Sequence, residues 1–148
     1  HIVLVPLDQQ TTEGLVETLK RSRYWGMAMP RNEMYSMLSG GDRIRVAEEG
    51  VMIPNFEVWF AKNDVEREAL QEAITARLDD AQINISPIEL QIAYKLRLAQ
   101  HTQSTARKDF EDALHLYETL EKSLNRDQLE EYVTDLEVKD HYDQLKRA

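Results

Sequence analysis

Two groups of residues in this sequence have the types and spacing to do chemistry. The first is Glu57, which stands inside the apolar run Phe56-Glu57-Val58-Trp59-Phe60. A carboxylate among large apolar side chains is costly unless it faces solvent, finds a partner or binds a cation. Period-two alternation turns Glu57 away from Phe56 and Val58, so a solvent-facing strand position accounts for it. The alternative is a metal site. A hard cation such as magnesium takes carboxylate oxygens, and there it would hold a triphosphate and neutralise its developing charge. The second group is Lys95, followed by Arg107-Lys108-Asp109 and Asp112. Asp109 and Asp112 are three residues apart, so on a helix they share a face. Acidic residues in a first turn also complement the helix dipole, which explains Asp109 and Glu111 but not the placing of Lys95 and Lys108 near them. A lysine beside carboxylates either contacts nucleotide phosphates as a point charge or forms an ordinary salt bridge, and the spacing fits both.

Other chemistries have less behind them. The histidines, at positions 1, 101, 115 and 141, have no metal-ligand spacing and read as surface or capping residues. No Gly-x-Ser-x-Gly elbow frames a serine nucleophile. Cysteine is absent, which removes disulfides, thiolate nucleophiles and Cys-based zinc sites. Met27, Met29, Met34 and Met37 read as core filling, and so do Trp25 and Trp59.

The elements that must position Glu57 and Lys95 follow from the apolar pattern. Ile2 to Val5 reads as a buried strand with no lead-in, as in a fragment that opens in mid-strand. Asp8 to Thr12 supplies turn and cap residues for a helix through Leu15, Val16 and Leu19 to about Arg21. Tyr24 to Met29 fits a short strand or a packed loop. Asn32 is placed to cap a helix carrying Met34, Met37 and Leu38, which Gly40-Gly41 ends. Ile44 and Val46 alternate with Arg43 and Arg45 and predict a hairpin with Phe56 to Phe60. Val65 to Leu70 reads as helix, Ile74 to Leu78 as helix or strand, and Gln82 to Ile85 as the last strand of the sheet. Ser86, Pro87 and Glu89 then form a capping-box pattern before the stripe Ile88, Ile92, Leu96 and Ala99. A polar linker precedes a second helix from Phe110 to Leu124. Asn125 with Gln128 opens a third, and Lys139 to Arg147 forms a short last one. The expected fold is α+β: a small mixed sheet with flanking helices followed by a C-terminal helical bundle. It is one domain over residues 1–148, with a sheet-containing part at 1–85 and a helical part at 86–148.

The bulk properties agree with this. In 148 residues, 42% hydrophobic content is enough for a core. The net charge of −9, from 27 acidic against 18 basic residues, repels phosphate polymers and argues against broad DNA binding. The longest apolar run, around Ile2 to Leu7, is too short to span a membrane, which predicts a cytoplasmic protein without a membrane partner.

Ser86-Pro87-Ile88-Glu89-Leu90, Tyr94-Lys95-Leu96 and Lys108-Asp109-Phe110-Glu111-Asp112 resemble the "spE-L...KL...KD..D" pattern of AbiEii-like nucleotidyltransferases, a branch of the polymerase-beta-like superfamily. Upstream, Phe56-Glu57-Val58 looks like that superfamily's third carboxylate strand, so the order agrees over roughly the whole chain. The resemblance implies magnesium-dependent transfer of a nucleoside monophosphate from a nucleoside triphosphate to an RNA or protein acceptor. It also implies a toxin with an antitoxin partner. Carried over by residue, it makes Glu57 a metal ligand and gives Glu57, Lys95 and Asp109 catalytic roles. It places Lys95, Lys108 and Asp112 at the nucleotide. In such enzymes a Gly-Ser or Gly-Gly turn and an Asp-x-Asp pair come first, at the entrance of a strand like Ile2 to Val5. Gly40-Gly41 comes after that strand and Asp8 reads as a turn residue, so neither stands in for these motifs, and the pair would have to come from sequence upstream of His1. Residues 1–148 alone are then expected to be inactive, because a lone carboxylate does not assemble a two-metal site. The competing expectation is a non-catalytic binding or assembly protein that keeps the fold.

Overall fold

Alternating apolar residues in the first half of the chain pair into a four-stranded sheet, and helical periodicity governs most of the second half. The computed structural model describes residues 1–27 and 29–148. The chain is α+β and divides into two compact units, His1–Gln71 and Glu72–Ala148.

The first unit runs β1 (Ile2–Leu4), α1 (Gln9–Arg21), β2 (Trp25–Met27), α2 (Arg31–Ser39), β3 (Ile44–Glu48), β4 (Asn55–Phe60) and α3 (Asp64–Gln71). The strand order is β1-β4-β3-β2, with β1 parallel to β4 and the other pairs antiparallel. Opposite residues share a face, so the registers Ile44↔Val58 and Val46↔Phe56 line up one apolar face. Ile44, Val46, Val58 and Phe60 on that face form a buried cluster with Val16 of α1 and Met34 and Leu38 of α2. Met27, Met29 and Met37 pack against it, as core filling requires. The register Arg45↔Glu57 puts a polar pair on the opposite face.

The structure corrects two expectations for this unit. Ile2 to Val5 is not a buried strand: β1 lies at the sheet edge, Ile2 is 39% exposed and Val5 is 57% exposed. Asn32 does not cap α2. The helix begins at Arg31 behind Pro30, whose carbonyl accepts the Glu33 N–H at 3.0 Å, so Asn32 already lies within the first turn. At the other end, Gly40 and Gly41 do terminate α2, and Gly41 takes φ +88°, where a side chain would be strained. The Tyr24 to Met29 stretch contains β2, and residue 28 within it lies outside the described residues. Asp8 caps α1 as its position suggests, accepting the Thr11 N–H at 2.7 Å.

In the second unit, β5 (Ile74–Leu78) and β6 (Ala81–Ile85) form a hairpin, a two-stranded sheet of its own. Ile74 to Leu78 is therefore strand, and Gln82 to Ile85 does not extend the four-stranded sheet. The register Ile74↔Ile85, Ala76↔Ile83 and Leu78↔Ala81 collects the apolar residues on one face of the ribbon. Thr75, Arg77, Gln82 and Asn84 form the other. Four helices follow: α4 (Ile88–His101), α5 (Ala106–Leu120), α6 (Arg126–Asp135) and α7 (Lys139–Leu145). Helix α4 packs against α5, α6 and α7, and its Leu90, Ile92, Ala93 and Leu96 are buried along with Ala113, Leu129, Tyr132, Val133 and Leu145. The Ser86-Pro87-Glu89 capping box does not form, because Pro87 takes the N-cap position and no side chain caps the helix there. Glu89 is instead buried and accepts the backbone N–H of Asn125 at 2.7 Å. Asn125 does cap α6, accepting the Gln128 N–H at 3.3 Å. Among the described residues, no helix is long and apolar enough to cross a membrane.

Candidate functional site

Glu57 belongs to the first unit, and Lys95, Lys108, Asp109 and Asp112 belong to the second. Alternation along β4 turns Glu57 to the polar face of the sheet, where two arginines meet it. Arg43 Nη1 lies 2.9 Å from Glu57 Oε2, and Arg45 Nη2 lies 3.3 Å from Oε1. Arg43 and Arg45 are two residues apart on the antiparallel neighbour, so the pleat sends both side chains to the face that carries Glu57. His1 Nε2 comes within 3.5 Å of Oε2. The Arg43 hydrogen bond, opposed by partial burial and reinforced by Arg45, holds the Glu57 carboxyl below its ordinary range. Glu57 is thus an anion at neutral pH, neutralised by neighbours that the sequence pattern alone did not single out.

Below this pair lies Trp59, on the same face two residues along β4 and only 4% exposed. The Arg43 guanidinium stacks 4.3 Å above its ring. The indole Nε1–H donates to Glu66 Oε1 at 2.9 Å, and the other oxygen of this buried carboxylate accepts the Lys62 N–H at 2.8 Å. Trp59 is therefore a core aromatic, as its apolar surroundings suggest, and also the platform on which Arg43 rests.

In the second unit, α4 presents Lys95 to the first turn of α5. Its ammonium lies 2.9 Å from Asp109 Oδ1 and 2.8 Å from Asp112 Oδ2, so the three-residue spacing does place both carboxylates on one face. Asp109 is 6% exposed, and Lys95 keeps 32% of its side chain accessible. Burial alone would lower the Lys95 pKa, but its bonds to Asp112 and Asp109 outweigh burial and hold the ammonium above its ordinary value. Burial would likewise raise Asp109, yet the Lys95 and Thr105 hydrogen bonds hold it below the usual carboxylate range. Lys108 is exposed on α5, and the ion pairs of Asp109 and Asp112 are both made with Lys95.

Lys95 can still do more than bridge two helices. An ammonium has three N–H donors, and two carboxylates use two of them. With 32% of its side chain accessible, Lys95 stays partly open to solvent while it holds both carboxylates. Glu57 is an oxygen donor of the type magnesium takes. It is a single one: among the described residues, no group of three His, Asp or Glu side chains stands where it could hold a metal.

No family model matches the chain. A search of curated proteins likewise finds no significant match.

Proposed function

We propose that the chain is part of an AbiEii-like nucleotidyltransferase, a cytoplasmic protein that moves a nucleoside monophosphate from a nucleoside triphosphate to an RNA or protein acceptor with magnesium, and that acts as a toxin held by an antitoxin. The observation that carries this is the parallel pairing of β1 with β4, register Ile2↔Val58. It puts the strand bearing Glu57 directly beside Ile2–Leu4, the strand to whose entrance the resemblance assigns the Asp-x-Asp pair. The Lys95–Asp109–Asp112 clamp supports it further, since the lysine and carboxylates of the resemblance are brought together by the fold. In this reading Glu57 supplies one carboxylate of the magnesium site, and Lys95 offers its third N–H to a phosphate oxygen. Asp109 and Asp112 position Lys95, and Lys108 adds positive charge at the edge.

A second reading, a binding protein that keeps the fold without the chemistry, is favoured by one observation. Glu57 and Lys95 both already hold two ion pairs with neighbours in the same unit. Calorimetric titration of the full natural gene product with a non-hydrolysable nucleoside triphosphate, in magnesium and in EDTA, separates the two. The catalytic reading expects magnesium to strengthen binding and Glu57→Ala to abolish that enhancement. A full gene product indifferent to magnesium, or its Glu57→Ala variant keeping the enhancement, supports the binding protein.

A further inference from the structure

The two guanidiniums around Glu57 carry more positive charge than one carboxylate neutralises, and they do so in a chain of net charge −9. We infer that Arg43 and Arg45 form a polyphosphate-binding site on the polar face of the four-stranded sheet, which the Glu57 carboxylate occupies in the free protein. For its natural ligand, the triphosphate of a nucleoside triphosphate, the inference rests on the nucleotidyltransferase reading; the site itself stands on its own geometry.

Three features distinguish this group from a chance surface ion pair, which contributes little and is loosely held. Arg43 is held independently of Glu57. Its guanidinium lies 4.3 Å over Trp59, and that indole is fixed from behind by the buried Glu66 carboxylate at 2.9 Å. Arg43 thus has a contact that does not involve Glu57. Arg45 is directly opposite Glu57 in the strand register, so its direction is set by the pleat. The two guanidiniums bind different oxygens of one carboxylate, at 2.9 and 3.3 Å, so their spacing already suits two oxygens of a single anionic group. Planar guanidinium forks are the side chains best matched to phosphate oxygens.

Access agrees with this. The Arg43 and Arg45 side chains are 43% and 57% exposed against 28% for Glu57, so both guanidiniums are more open to solvent than the carboxylate they share. A polyphosphate carries several negative charges where Glu57 carries one, and it can span both arginines. Against it stands the high effective concentration of a tethered carboxylate, together with the repulsion that carboxylate exerts. Glu57 therefore weakens binding to the pair without removing the site.

The test is calorimetric titration of the whole chain with inorganic tripolyphosphate in EDTA, which keeps metal out of the readout. Wild-type protein should bind weakly, and Glu57→Gln should bind about tenfold tighter or more, since the intramolecular competitor loses its charge. Adding Arg43→Gln and Arg45→Gln to that variant should abolish the gain. Circular dichroism and thermal melting establish that each variant is folded, and Glu57→Ala provides a second release variant with the same expectation. No tightening in either release variant overturns the proposal, and so does a gain that survives loss of both arginines. Because no metal is present, the result is separate from the magnesium titration. A metal-free gain beside magnesium-indifferent nucleotide binding would keep the arginine site and discard the nucleotidyltransferase reading.

Discussion

At the scale of single residues, the chemistry of this chain depends on which charges have partners. Glu57 looked costly in the sequence because its neighbours along β4 are apolar, and alternation correctly turned it off the apolar face. What the one-dimensional pattern did not reveal is that Arg43 and Arg45 reach the same place, although both were visible as the polar positions alternating with Ile44 and Val46. Finding them requires the register, and register depends on the length of the connection between the strands as well as on their pattern. Lys95 was legible as a residue of interest, yet its pairing was open until α4 and α5 were packed. Its bonds to Asp109 and Asp112 have a consequence for pH. Asp109 is depressed in the folded state, so it contributes stability above its unfolded pKa, about 3.9, and that contribution is lost as pH falls through the folded value. Lys95 is raised, so its contribution is present below its unfolded pKa, about 10.4, and is lost as pH rises through the folded value. Urea unfolding followed against pH should show the Lys95→Met variant losing stability relative to wild type across the neutral range, by about 1–3 kcal/mol, because Asp109 stays buried without its cation. The difference should narrow in strong acid, and a constant difference down to that range would contradict the pairing.

At the scale of elements, helices α1, α5 and α6 and the β3–β4 hairpin were readable from apolar spacing, whereas the capping box before α4 was misread. The residues Ser86, Pro87 and Glu89 fit the pattern, but a local motif competes with tertiary contacts, and here the backbone of Asn125 takes the Glu89 carboxylate. Glu89 thereby ties the start of α4 to the start of α6 across 36 positions of sequence, a link with no local signature. Replacing Glu89 with Ala should cost about 1–3 kcal/mol by leaving that N–H without its acceptor, while Glu89→Gln, which keeps an acceptor oxygen, should cost less. Chemical denaturation reads both, and equal losses would show that the charge or the packing matters more than the hydrogen bond. In the β5–β6 hairpin the second strand was readable and the first was left open. Ile74 to Leu78 is short and apolar enough to fit helix or strand, and only the partner strand decides.

At the scale of the whole molecule, the α+β class was legible because the period of the apolar pattern changes along the chain. The expected change of character at 85/86 followed that pattern, whereas the compact units divide at 71/72. The hairpin explains the difference, since its strands bond to each other and not to the four-stranded sheet. The second unit has its own buried set around α4, so residues 72–148 expressed alone should retain a helical circular dichroism spectrum and a cooperative melt. A non-cooperative, coil-like fragment would show that the unit depends on the rest of the chain. The proposed magnesium and nucleotide chemistry belongs to this scale too, because Glu57 would supply one carboxylate where a two-metal site needs several. The most direct measurement is therefore transfer of label from α-phosphate-labelled nucleoside triphosphates to RNA or protein by the full natural gene product, with and without magnesium. The nucleotidyltransferase account predicts magnesium-dependent transfer that falls by about a hundredfold or more in Glu57→Ala, the scale on which loss of one transition-state-stabilising group is felt. Absence of transfer with all four nucleotides, or a Glu57→Ala protein as active as wild type, would contradict it.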